Sequence, residues 1–133
     1  MSQSIFPNLV TSDIESTISW YQQNFDAKPK MSVPSKTNPN KACFATISVA
    51  GNDIMLQTVE NIEDKYPSLK GKISIGHSVA LNLQVIDAQA VYENLTDTSE
   101  IVAEPMDTFY QMREFTIKDP NGYILTVASP LNG

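Results

Sequence analysis

The chain has 133 residues, of which 41% are hydrophobic and 18% charged, and a formal net charge of −6; this suits one globular domain that can bury a core without covalent staples. A single cysteine, Cys43, excludes an intrachain disulfide and a cysteine-based zinc cluster. Residues 1–73 carry seven acidic and seven basic side chains, and residues 74–133 carry eight acidic and two basic ones, Arg113 and Lys118, so no nucleic-acid partner is expected, because phosphate binding needs clustered Lys and Arg. The acidic second half is compatible with a cationic ligand, and more simply with solubility alone. No stretch approaches a membrane span and no basic-then-apolar leader precedes Ile5, so a cytoplasmic protein with no membrane partner is expected.

In chain order, Ile5–Thr11 reads as a strand. Ser12-Asp13-Ile14-Glu15 is a capping-box pattern, with Ser12 at the N-cap. The helix it opens puts Ile14, Ile18, Tyr21 and Phe25 on one face, with Trp20 and Tyr21 as core rather than a stacking platform. Strands are predicted near Pro29–Val33 and Ala42–Val49, separated by the loop Pro34–Lys41, and Gly51-Asn52 turns the chain into a strand at Ile54–Val59. Cys43 lies in an apolar run and reads as a buried, inert thiol. Glu60–Lys72 is a charged helical turn and linker. A strand at Val79–Val85 and a helix at Ala88–Leu95 follow, with Asp87 as N-cap. Strands near Ile101–Ala103 and Tyr110–Lys118, a turn at Asp119-Pro120-Asn121-Gly122 and a closing strand Tyr123–Ser129 complete the chain.

Two stretches repeat. Leu9-Val10-Thr11-Ser12-Asp13 and Leu83-Gln84-Val85-Ile86-Asp87 each run from strand to helix at an offset of 74, and the hairpin glycines Gly51 and Gly122 stand at an offset of 71. Residues 1–133 therefore read as one domain built by internal duplication, with a first module of about residues 1–72 and a second of about 73–133.

The stretch Leu9–Phe25, together with Arg113-Glu114-Phe115 and Asp119-Pro120-Asn121-Gly122-Tyr123, resembles the vicinal oxygen chelate superfamily of glyoxalase I, extradiol dioxygenases and bleomycin-resistance proteins. The resemblance covers nearly the whole chain. One departure is Asp26, where the family often closes the first helix with glycine; aspartate tolerates a left-handed cap better than most residues. The resemblance implies an α+β fold of two tandem βαβββ modules forming a curved mixed sheet around a cleft, with helices outside. It also implies a homodimer.

In metal-dependent members each module supplies two ligands to one divalent ion. Carried onto this chain, those positions are Phe6, Met55, Ala80 and Thr126. A catalytic divalent ion needs oxygen or imidazole donors, and these four offer only a thioether and one hydroxyl. No metal and no cofactor are expected. The single histidine, His77, reads as a loop or strand-end residue. With no nucleophile–base pattern anchored in the sequence, no catalytic residue is assigned.

Strand alternation places Asn8 and Val10 in phase with Phe6, Asn82 and Gln84 with Ala80, Asp53 and Gln57 with Met55, and Ile124 and Ala128 with Thr126. The expected ligand-binding set is Phe6, Asn8, Met55, Gln57, Ala80, Asn82, Arg113 and Thr126, facing a small polar or aromatic molecule. Arg113 can clamp a ligand anion or pair with Glu104 or Asp107, the ion pair being favoured. The implied function is metal-independent binding of a small molecule in the manner of bleomycin-resistance proteins. The alternative is a lyase, isomerase or dioxygenase whose metal is held at a non-standard site by Asp53, Gln57 and Glu114.

Overall fold

The computed structural model describes residues 3–131. The elements are β1 (Asn8–Thr11), α1 (Ile14–Phe25), β2 (Lys28–Pro34), β3 (Ala42–Val49), β4 (Asn52–Thr58), α2 (Val59–Lys65), β5 (Ala80–Gln84), α3 (Ala88–Glu93), β6 (Ile101–Asp107), β7 (Met112–Lys118) and β8 (Ile124–Pro130), with a 3-10 turn at Pro67–Leu69. The strands form two four-stranded mixed sheets, ordered β1-β4-β3-β2 and β5-β8-β7-β6. In each, the first strand of the module runs parallel to the last, and the hairpin strands between them are antiparallel. This is the α+β architecture of two tandem modules. The ladders pair Leu9 with Leu56 and Leu83 with Val127, so both sequence offsets, 74 and 71, hold in the register.

Burial follows the two-residue period of the strands. β3 alternates strictly, with Cys43, Ala45, Ile47 and Val49 buried. Leu9, at 3% exposure, and Leu83, at 9%, both face inward, as the alternation requires. Ile14, Tyr21, Ile47 and Leu56 of the first module join Phe115, Ile117, Leu125 and Val127 of the second in one apolar cluster. Each such side chain contributes about 1.5–3 kcal/mol on burial, so a core shared by both modules couples their stabilities.

Several expected boundaries move, each for a local reason. β1 begins at Asn8, three residues later than expected, because pairing with β4 starts at Met55. Asp13, not Ser12, is the N-cap of α1, and no side chain caps there. The Glu15 carboxylate that a capping box would use accepts instead from the Ala42 N–H, at 2.7 Å. Asp26 closes the helix in the left-handed region, φ 54°. Asp87 caps α3 as expected, its Oδ1 accepting from Ala90 N at 3.1 Å; the helix stops at Glu93. β6 runs on to Asp107 through Pro105, which an edge strand with register shifts tolerates.

The turn at residues 119–123 joins the modules. Tyr21 Oη donates to Asp119 Oδ2 at 2.6 Å, Thr11 Oγ1 donates to Asn121 Oδ1 at 2.8 Å, and Asn121 Nδ2 donates to Thr17 Oγ1 at 3.1 Å. Tyr123 Oη donates to Val10 O and accepts from Val10 N, at 2.8 and 3.1 Å. The free edge of β1 is thereby satisfied by a side chain of the other module rather than by another strand.

Candidate functional site

The side of each sheet away from the apolar cluster carries the residues that alternation selected. In the first sheet Asn8 pairs with Met55 and Val10 with Gln57; in the second, Ala80 pairs with Ile124 and Asn82 with Thr126. The pairs Asn8–Met55 and Asn82–Thr126 occupy equivalent places in the two modules. Asn8, Ala80 and Asn82 are exposed, and Met55 and Thr126 half-buried.

Their chemistry differs in how far it is already engaged. Asn8 Nδ2 donates to Gln57 Oε1 at 2.8 Å, and Gln57 Nε2 donates to Asn61 Oδ1 at 2.6 Å. Gln57 is therefore buried, at 6% exposure, and its amide ties β4 to α2. The sequence signal for this was Asn61 at helical reach of the strand end. The Thr126 hydroxyl lies 2.9 Å from that of Thr116, its cross-strand partner. Asn82 makes no side-chain hydrogen bond to another described residue, leaving a full amide for a ligand.

Phe6 and Asn82 line a common recess of about 670 Å³, between residues 4–7, residues 49–54 and β5. Asp53 and Gln84 share it. Asn8, Met55, Gln57, Ala80 and Thr126 are not among its lining residues. Arg113 is the one predicted residue on the wrong side of its sheet. It pairs with Ser129, in phase with the buried Phe115 and Ile117, and its guanidinium holds Asp107 Oδ1 at 2.9 Å and Gln89 Oε1 of α3 at 2.7 Å. Of the two ion pairs the sequence left open, with Glu104 or Asp107, the one with Asp107 is formed. Phe115 and Ile117 gave the parity that places Arg113 against α3.

The four positions where the resemblance puts metal ligands do not fit a divalent cation. Phe6 and Ala80 have no donor atom, Met55 offers a thioether, and the Thr126 hydroxyl is paired with Thr116. The alternative donors are also committed: Asp53 to Lys30 at 3.0 Å, Gln57 to Asn8 and Asn61, and Glu114 Oε1 to the Tyr110 hydroxyl at 2.7 Å. That last bond holds the Tyr110 phenol above its ordinary pKa. His77 sits in a loop at φ 63°, its ring against Gly122. Among the described residues no three His, Cys, Asp or Glu side chains form a metal-holding group. A second recess, about 600 Å³ at the start of α1, contains none of the predicted residues, and no helix among the described residues is long and apolar enough to cross a membrane.

Solved structures with the same fold cover nearly the whole chain. A glyoxalase/bleomycin resistance protein/dioxygenase family enzyme from Burkholderia phytofirmans PsJN superposes with a TM-score of 0.75 at 19% identity, over 95% of this chain and 97% of that one. TioX from Micromonospora sp. ML1 gives 0.73 at 15% identity, over 98% and 100%. The genomically encoded fosfomycin resistance protein FosX from Listeria monocytogenes gives 0.68 at 11%, over 97% and 93%. No curated protein matches the sequence. A family profile matches residues 5–127, and by that match the chain belongs to the Glyoxalase/Bleomycin resistance protein/Dioxygenase superfamily.

Proposed function

We propose that this chain is a metal-independent, bleomycin-resistance-like binding protein that sequesters a small polar or aromatic molecule on the open faces of its sheets. One observation carries the reading: the positions where the family resemblance puts the metal ligands are Phe6, Met55, Ala80 and Thr126, with Asn8 paired to Met55 and Asn82 to Thr126. Apolar surface there supplies contact, and amides that both donate and accept fix orientation without taking up a proton. In this reading the protein is a cytoplasmic homodimer, and the recess shared by Phe6 and Asn82 is one end of its cleft.

Two measurements test it. Elemental analysis of the purified protein is expected to find no stoichiometric Mn, Fe, Ni or Zn. A thermal-shift screen with small aromatic and cationic compounds is expected to find stabilising ligands, since a compound that binds only the folded state raises its stability. Stoichiometric metal, or a screen without hits, would overturn the proposal.

A further inference from the structure

The duplication makes two junctions between the modules, and they are not filled alike. At one, Asn121 bridges Thr11 and Thr17, and Trp20 packs on the core with its ring centroid 4.9 Å from that of Tyr21. The offsets of 74 and 71 assign every residue its counterpart at the other junction: Val85 for Thr11, Val91 for Thr17, Asn94 for Trp20 and Ala50 for Asn121. The register of both parallel ladders, Leu9 on Leu56 and Leu83 on Val127, shows that these offsets hold in space.

The second junction has thus lost an indole and an amide, and it has lost the hydroxyls that bound the amide. α3 ends at Glu93 and is six residues long, while α1 runs for twelve, so nothing from the helix replaces the missing ring. What remains is a recess of about 410 Å³ between the end of α1, β5 and α3. Its floor is Val49 and Leu83, both buried, and its walls include Phe25, Val85 and Val91. Asn94 stands at the rim, its amide turned back on Ala90 O at 2.9 Å.

We propose that this recess is a second small-molecule site, on the helix side of the sheets, and that it takes a flat, neutral aromatic molecule of one or two rings. The absent side chains define the occupant: it is the size of the indole that Trp20 lays on the core from the equivalent helix position. The volume falls in the range of sites that hold small ligands; Phe25, Val49, Leu83, Val85 and Val91 offer a ring apolar contact, while Gln22, Gln23, Asn24, Asp26 and Asn94 also line the recess and can meet a polar ring edge such as an N–H.

Indole itself is the probe. Titrated into the protein, it should produce saturable shifts of the Val85 and Val91 methyl resonances, which line this recess and not the one shared by Phe6 and Asn82, with a dissociation constant below the millimolar range. Asn94→Trp restores the counterpart of Trp20 and should weaken indole binding at least tenfold without lowering the melting temperature. If that variant fails to fold, Ala90→Leu fills the same recess from α3 and carries the same expectation. The proposal is overturned if the shifts are confined to Met55 and Ile124 on the open sheet faces, or to Ile54 and Leu81 of the recess shared by Phe6 and Asn82. It is equally overturned if no saturable shift occurs up to the solubility of indole, or if a folded recess-filling variant binds indole as the parent does.

Discussion

The phenol of Tyr21 and the carboxylate of Asp119 meet at 2.6 Å across the junction of the modules, and among the described residues no cation pairs with that carboxylate. Its other oxygen accepts from the backbone N–H groups of Asn121 and Tyr123, at 2.8 and 3.0 Å. Burial without a counter-ion makes every one of these donors count, because an ion removed from water is held by its hydrogen bonds alone. Tyr21→Phe keeps the ring and deletes one bond to a charged group. We expect a loss of about 1.5–3 kcal/mol, read as a fall of several degrees in melting temperature. An unchanged melting temperature would show that the junction is not held here.

The same burial has a consequence for pH. Desolvation outweighs the hydrogen bonds and raises the Asp119 pKa above its ordinary value, and burial raises Tyr21 as well. A carboxyl whose folded pKa is raised binds its proton more tightly when folded. Its contribution to stability is therefore full below the unfolded pKa and is lost as pH rises through the folded one. Asp119→Asn removes that dependence. The stability of the parent relative to this variant should be greater at mildly acidic pH than at neutrality; denaturant titrations at the two values check it. Asp13 and Asp97 have lowered pKa values, Asp13 because desolvation is outweighed by hydrogen bonds, chiefly from Lys41, and by the Lys41 charge, and Asp97 through its hydrogen bonds to Ser99. They act in the opposite sense in both proteins and so cancel in the difference.

The elements that were legible in the sequence are those specified by their own residues. The period of β3 fixed Ala42–Val49 without error, the oxygen of Asp87 caps its own helix, and the spacing of the two hairpins matched the ladders. What escaped was decided by partners far along the chain. Glu15 was taken from its capping box by Ala42, 27 positions away. Gln57 lies on the open face as alternation requires, but its amide is taken up there by Asn8 and Asn61. Arg113 is a different case, because alternation with Phe115 already put it on the α3 side. Its guanidinium is held there by Asp107 and Gln89.

Gly76 provides a test of the second module's entry. It stands at φ 85°, and a β-carbon there would press into the Asn121 carbonyl oxygen. The neighbouring His77 N–H donates to Gly122 O at 2.8 Å, so the backbone cannot easily withdraw. Gly76→Ala should destabilise the fold by more than the ~1–3 kcal/mol of a strained left-handed residue. Gly71→Ala, also at positive φ but with open space around it, should cost less. Equal losses would mean that the Gly76–Asn121 approach is not what matters.

Assembly can be checked directly. Ile5, Ile86 and Phe109 are 93–97% exposed, and Phe109 stacks edge-on with Tyr110 at 5.0 Å. A homodimer with two-fold symmetry, which the family resemblance implies, is the proposed form. Light scattering at micromolar concentration should give twice the 14.7 kDa chain mass; the monomer mass would refute it.

The sharpest expectation concerns Asn82. It is exposed, takes part in no side-chain hydrogen bond to a described residue, and shares a recess with Phe6. Its equivalent, Asn8, uses its amide nitrogen on Gln57 and keeps a carbonyl oxygen lone pair available. If the open faces hold the ligand of the proposed function, Asn82→Leu deprives a polar ligand group of its partner and should weaken binding by about 1–3 kcal/mol. The melting temperature of the free protein should scarcely move, because no core contact is removed. EDTA should alter neither quantity, since Phe6, Met55, Ala80 and Thr126 present no donor set for a divalent ion. Binding lost on chelation would show that the site has the wrong chemistry. An Asn82→Leu protein that binds as tightly as the parent would show that the site lies elsewhere.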